Sequence, residues 1–297
     1  MLGKIVRDPR RAPRGRTNVL FLASLLAALA CAPGLRAAPP SPPPRGTPCE
    51  PPVAWIAPDG DARRFGESVV ADGGFVAIGS PTAGDHGNDP GEVRVFRVEA
   101  DGSGGLVAHA RARIAGWRAG DHFGGSLAIR RLPQGLMLAV GADGADSVEL
   151  FRAGEDGRGW THAATLAPLH ADPGADFGGA IAIAPDGRAV LVGARRADGG
   201  GAIDRGAAYL FELQAQHEAW KQVACLTSPS PRMSGWFGSA VACTADLIAV
   251  GAPGEDAGGE PGAGAVHLFG RASGSAPVAI GSLHSPRPLP ASWFGSA

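Results

Sequence analysis

A Phe-Gly pair recurs at Phe65-Gly66, Phe123-Gly124, Phe177-Gly178, Phe237-Gly238 and Phe294-Gly295, with spacings of 58, 54, 60 and 57 residues. A period this regular confines the chain to folds built from one module copied in tandem. The same plan follows each of the first four pairs. A short apolar run comes first, at 68–71, 126–129, 180–183 and 240–243. A second, almost wholly apolar run comes next, at 75–78, 136–140, 189–192 and 247–250, of the kind that suits a strand covered on both faces. The third run ends on Phe: VRVF at 93–96, VELF at 148–151, AYLF at 208–211 and VHLF at 266–269. Its first and third positions are apolar. Period-two alternation therefore predicts that Arg94, Glu149, Tyr209 and His267, lying between them, occupy an exposed face. The closing Phe, the same in every copy, is expected to pack under the turn. A fourth run precedes the next pair: VAWIA at 53–57, ARIAG at 112–116, ATLAP at 164–168, ACLTS at 224–228 and GSLHS at 281–285.

Four short strands per copy, in series, make an all-β chain. The predicted architecture is a β-propeller-like array of four-stranded antiparallel blades, because no single unit buries both of its faces. The 46 glycines and 26 prolines among 297 residues require frequent turns and short helices, while 44% hydrophobic residues are enough for a core. Gly after Phe tolerates a positive φ and lets backbone approach closely, so the ring can wedge between neighbouring units. Such a ring, fully buried, contributes about 1.5–3 kcal/mol. Proline in Gly-Ala-Pro removes a ladder donor and is expected to stop the second strand. Four copies are full, and a fifth has only its opening Phe294-Gly295-Ser296-Ala297. Two architectures stay open: an incomplete propeller cut at the start of copy five, and a small closed ring in which residues 53–64 supply the outer strand of the last blade.

Phe-Gly at the start of each copy and Gly-Ala-Pro ahead of an acidic loop resemble the FG-GAP repeat of integrin α-chain propellers and of bacterial integrin-like secreted proteins. GAPGEDAGGEPGAGAVHLF at 251–269 resembles the bacterial form, and copy one carries GSP at 79–81, whereas copies two and three read GAD at 141–143 and GAR at 193–195. The resemblance covers residues 53–297 and implies a propeller domain over that range. Members of the family often hold Ca²⁺ between the first and second strands through a D-x-D-x-D-G-like run. The loops at 71–74, 130–135, 184–187 and 244–247 each offer at most one carboxylate, where Ca²⁺ takes about six to eight oxygens. No calcium site is carried over, and no cofactor is expected. The loops after the second strand are richer, with Asp85, Asn88, Asp89 and Glu92 in copy one and Glu255, Asp256 and Glu260 in copy four. A bound cation and a solvated glycine-rich loop are the two readings there.

The amino-terminal region reads differently. Residues 1–50 hold eight Lys/Arg against two carboxylates, a charge of +6 that leaves −7 for the remainder of a chain whose net charge is −1. An acidic body argues against nucleic acid or an anionic membrane as partner. Val19–Ala30 is an apolar block of 12 residues behind a basic segment. It is shorter than the roughly 20 residues of a membrane span and fits the h-region of a secretory signal. Residues 1–38 are therefore expected to be a signal peptide cut near Ala37–Ala38. Ala28-Leu29-Ala30-Cys31 also resembles a lipoprotein box with Ala in place of its usual Leu, which would make a lipid anchor at Cys31 the chain's only membrane attachment. The Arg10-Arg11 pair lies too far from the apolar block for a twin-arginine signal. Residues 39–52 are proline-rich and read as a stiff extended linker. The expected location is outside the cytoplasm: periplasmic, cell-surface or extracellular.

Chemistry is not legible in this sequence. None of the eight histidines falls at a metal-ligand spacing. GGSLA at 124–128 nearly matches a nucleophile elbow, but Ala128 replaces its last Gly and the stretch coincides with the repeated Phe-Gly. No RGD tripeptide occurs; Arg118-Ala119-Gly120-Asp121 only looks similar. Cys225 aligns with outward positions and Cys243 with core positions, which argues against a bridge between them. No catalytic residue is identified. The reading is an exported, non-enzymatic binding or adhesion module with an unknown protein or glycan ligand. The alternatives are the repeat region of a larger secreted hydrolase and a purely structural envelope component.

Overall fold

A computed structural model describes residues 64–82, 90–102, 104–170, 172–199, 203–214, 219–272 and 274–297, all within the compact unit Ser41–Ala297. The segments read as signal peptide (1–38) and linker (39–52), with Cys31 and the run at 53–57, lie outside the described residues, as do Asp85, Asn88 and Asp89.

The described residues form four four-stranded antiparallel sheets, each in sequence order. Blade one contains β1 (Ser68–Asp72), β2 (Phe75–Ser80), β3 (Glu92–Ala100) and β4 (Leu106–Ala115). Blade two contains β5 (Leu127–Leu132), β6 (Gly135–Ala142), β7 (Ser147–Ala153) and β8 (Thr161–Leu166). Blade three contains β9 (Phe177–Ile183), β10 (Ala189–Ala194), β11 (Ala207–Gln214) and β12 (Ala219–Leu226). Blade four contains β13 (Val241–Cys243), β14 (Leu247–Ala252), β15 (Ala265–Gly270) and β16 (Val278–His284). The first strands neighbour one another in series, β1 on β5, β5 on β9 and β9 on β13. The outer place in blade four is taken by β16. That corrects the closed-ring alternative, which assigned this place to residues 53–64.

Each junction is built from the Phe-Gly pair of the following blade. Phe123 packs among Phe75, Ala77, Val93 and Val95 of blade one. Phe177 packs among residues of blade two that include Met137, Val148 and Leu150, and Phe237 among Ala208, Leu210 and Leu226 of blade three. The Gly after each Phe has φ between +86° and +97°. Its carbonyl lies against the Gly near the end of the preceding blade's second strand, at Gly79, Gly141, Gly193 and Gly251, where a Cβ would overlap it. Glycine is thus required twice at each junction, once for conformation and once for room. β2 and β14 stop before Pro81 and Pro253, but β6 and β10 stop at the same place without proline. The glycine and the small residue after it (Ser80, Ala142, Ala194, Ala252), not the ring, mark the strand's end.

Two features depart from the expectations. The closing Phe does not pack under a turn. In blades two to four it meets the Phe of its own blade's Phe-Gly edge-to-face, with centroids 6.0 Å apart for Phe123–Phe151 and Phe177–Phe211 and 6.1 Å for Phe237–Phe269. Arg94, Glu149, Tyr209 and His267, expected on an exposed face, are all buried. In blades one to three the third-strand run is buried on both faces, so alternation along it separates one neighbour from the other and not protein from water; in blade four only the face that carries His267 and Phe269 is fully covered.

The residue before each Phe also lies in the left-handed region, with φ between +52° and +57° at Arg64, His122, Asp176, Trp236 and Trp293. Two residues earlier the same conformation recurs at Gly120, Gly174, Ser234 and Ala291. Copies two and three use Gly there; copies four and five do not. An L-residue in that region costs about 1–2 kcal/mol, partly offset by the backbone entropy glycine would lose. Ser234→Gly is therefore expected to raise the melting temperature by about 2 °C, read by differential scanning calorimetry.

Candidate functional site

The antiparallel order places two kinds of connection at each end of a blade. Hairpins between strands one and two and between three and four share one end. The two–three loops and the crossovers to the next blade share the other. At the hairpin end the carboxylates of the loops first weighed as calcium sites are engaged locally. Asp72 Oδ2 accepts the amide of Arg131 at 2.8 Å, Asp186 Oδ1 that of Arg188 at 2.9 Å, and Asp246 Oδ1 the hydroxyl of Thr244 at 2.8 Å.

The crossover end is fastened by a lattice of hydrogen bonds between consecutive connections. The amides of Gly174 and Phe177 donate to the two oxygens of Asp146 at 2.9 and 3.3 Å, and the amide of Asp198 donates to Asp172 Oδ2 at 2.7 Å. Ser234 N donates to Ile203 O at 2.9 Å and Gly254 N to Gly235 O at 3.1 Å. Charges here pair with one another, Arg195 with Asp176 at 2.8 Å and Arg232 with Asp256. Against this paired background large apolar side chains stand exposed. Trp117, Leu169 and Met233 lie in successive crossovers, Ile203 in a two–three loop, and Leu289 and Trp293 after β16. Nothing in the sequence pattern marked Leu169, Ile203 or Met233, because each is an isolated apolar residue in a polar connection.

Inside the array each blade carries a polar pair at one register position, between the second residue of the third-strand run and its partner on the fourth: Arg94 opposite Arg113, Glu149 opposite Thr165, Tyr209 opposite Cys225, and His267 opposite Ser282. In blade one Glu92, the first residue of β3 and not part of a loop, accepts from Arg94 Nε at 2.7 Å and Arg113 Nε at 2.5 Å. In blade two Glu149 takes the Thr165 hydroxyl at 2.6 Å and meets His162 Nε2 at 2.8 Å. In blade four His267 lies between Glu255 Oε2 at 2.7 Å and Ser282 Oγ at 2.8 Å. Serine, imidazole and carboxylate in a row resemble a hydrolytic relay. A relay also needs donors aimed at a developing oxyanion, whereas this contact is the fourth version of a cross-strand pair that closes β15 onto β16.

The carboxylates read as a potential cation loop in copy four are not brought together. Glu255 is buried on His267, Asp256 accepts the amide of Gly262 at 3.1 Å, and Glu260 pairs through its backbone with Ala257. Among the described residues no group of three or more His, Cys, Asp or Glu side chains is placed to hold a metal ion. Cys225 and Cys243 are both free thiols. Burial pushes the Cys243 thiol up to about 11 and, with Cys225 beside it, the Tyr209 hydroxyl up to about 12. Neither supplies an anionic nucleophile near neutral pH.

A comparison with curated proteins found no match. Residues 160–211 and 220–269 each match the family model described as FG-GAP repeat. Each matched stretch begins at the outer strand of one blade (β8 or β12) and ends in the third strand of the next (β11 or β15). The sequence repeat is thus offset from the blade by one strand, and every repeat bridges a junction. With its all-β sheets and its Phe-Gly junctions, the chain carries FG-GAP repeats over residues 160–269.

Proposed function

We propose that this chain is an exported, non-enzymatic interaction module that binds a protein partner through the crossover end of its blades. The observation that carries the reading is the row of exposed apolar side chains, Leu169, Ile203 and Met233, on connections already fixed by hydrogen bonds. Loops ordered before contact lose little entropy on binding, and large apolar side chains held among polar ones suit the core and rim of a protein interface. The internal pairing of the charges favours a protein surface over an acidic glycan. Export is supported by the basic start, the block at Val19–Ala30, the small residues around Ala37–Ala38 and the proline-rich stretch at 39–52.

The test is a screen of the full chain against arrays of extracellular proteins and glycans, followed by the triple variant Leu169→Asp/Ile203→Asp/Met233→Asp. Binding to a protein is expected to weaken at least about 30-fold, the scale of an interface hot spot, with the melting temperature unchanged. Hits confined to glycans, or a protein hit indifferent to the triple variant, would refute the reading.

A further inference from the structure

The outer strand of blade one differs from its three counterparts in charge. β4 carries His109, Arg111 and Arg113 and no carboxylate. β8 and β16 have neither Lys nor Arg, and β12 has Lys221 alone. Together β3 and β4 hold Arg94, Arg97, Arg111 and Arg113 against Glu92 and Glu99. That is a surplus of two positive charges in a chain that carries −7 beyond residue 50. Charge on an edge strand also serves to keep other edges away. That purpose does not account for the distribution, because β16 exposes Val278 and Ile280 on the same kind of edge without a cation to guard them.

The arginines are held ready for a ligand. Glu92, 3% exposed, accepts from Arg113 Nε at 2.5 Å, while the Arg113 side chain stays 69% exposed. With Nε fixed, its two Nη groups form an outward fork that matches a carboxylate. Arg111, two residues earlier, shares that face. The ion pairs of this sheet use Arg94, Arg97 and Arg113, which leaves Arg111 without one among the described residues. The backbone is open as well. Gly116 N donates to Gly91 O at 2.9 Å, which sets the phase of the β3–β4 register. The alternation of an antiparallel ladder then turns the N–H and C=O of Ala112 and Ile114 toward β3, and those of Arg113 and Ala115 toward the free edge.

We propose that the free edge of β4 between Arg111 and Ala115 binds an acid-rich extended peptide, which adds to blade one as an outer strand and sets alternate carboxylates against Arg111 and Arg113. Charge complementarity makes the occupant acidic. The outward N–H and C=O groups make it a polypeptide, because main-chain bonds supply affinity in strand addition and an anionic polysaccharide has no backbone to continue the ladder. The bulge at Arg111 confines that ladder to a short stretch, so binding depends on the carboxylates and the backbone bonds together. The site lies on the outer edge of one sheet and is independent of the partner surface at the crossover end.

The probe is a capped, fluorescently labelled heptapeptide, Glu-Val-Glu-Val-Glu-Val-Glu, titrated with the full chain and read by anisotropy. The acidic peptide is expected to bind saturably, and its neutral counterpart with Gln for Glu at least about tenfold more weakly. Arg111→Glu reverses a charge, and Ala115→Pro removes an outward N–H that β3 does not use. Each is expected to weaken binding at least about tenfold, with the melting temperature of the free chain unchanged. An acidic peptide N-methylated at alternate residues tests the ladder without altering the protein and should lose as much. Absence of saturable binding, or equal binding of the neutral peptide, would overturn the proposal. So would an acidic peptide indifferent to both Ala115→Pro and N-methylation, since charge alone would then hold it. A sulfated oligosaccharide that binds more tightly than the peptide, and is lost in Arg111→Glu but not in Ala115→Pro, would assign the arginines to a glycan instead.

Discussion

Gly193→Ala is expected to separate blade four from the rest of the array. The added Cβ would overlap the carbonyl carbon and oxygen of Gly238. Both are backbone atoms, so no side-chain rotation relieves the clash. Gly238 is held in turn by Phe237, buried among Ala208, Leu210 and Leu226, and by its own amide bond to Gly251 O at 2.9 Å. Relief requires the whole Phe-Gly turn to lift, with loss of the ring's burial. The expected cost exceeds about 3 kcal/mol, a large part of the stability of an ordinary domain. Blades stacked in series contact only their neighbours, so the damage should begin locally. Hydrogen exchange should show β13–β16 losing protection first, and urea unfolding should split into two transitions. Gly154→Ala is the control: its nearest atom to a new Cβ is an Asp156 carboxylate oxygen at 3.7 Å, and a change within about 0.5 kcal/mol is expected. A single transition at an unchanged midpoint for Gly193→Ala would contradict the junction as described.

The strands were legible because each copy spells them the same way, and the junctions because Phe-Gly and a glycine followed by Ser or Ala recur at fixed places within each copy. What was not legible depends on the neighbour across a face. Arg94, Glu149, Tyr209 and His267 alternate with apolar residues as an exposed face would, and only the packing of one sheet on the next shows their face to be covered. Glu255 belongs to a loop that is acidic and glycine-rich, with nothing in its composition to show that its carboxylate turns inward to an imidazole twelve residues on. The bulge before each closing Phe was also hidden. It leaves Arg111, Ala163, Val223 and Ile280 without partners in the register, residues that range from a guanidinium to small and branched aliphatics and include none of the usual bulge-marking glycines. The apolar residues of the crossovers were missed for a similar reason: a single exposed Leu or Met has no period to betray it.

Glu255→Ala should destabilise the protein by about 3 kcal/mol or more, the second large effect. Glu255 and His267 are each 3% exposed, and the carboxylate oxygen that meets the imidazole at 2.7 Å has no substitute close by except the Ser228 hydroxyl at 3.4 Å. Removing one member of a buried polar pair leaves the other without the partner that offset its loss of water. The pair is not optimal even when intact, because Glu255 Oε1 is buried with no hydrogen-bond partner among the described residues. Replacing both members with apolar side chains of similar volume should therefore restore most of what the single change removes. The double variant Glu255→Leu/His267→Met is expected to fall within about 1 kcal/mol of the parent. Urea denaturation of the parent, both single variants and the double variant closes the cycle. A double variant much less stable than the parent would mean that the pair holds its blade together. A double variant as stable as the parent but less cooperative in unfolding would mean that the pair selects how β15 meets β16 and adds little to how tightly the sheets pack.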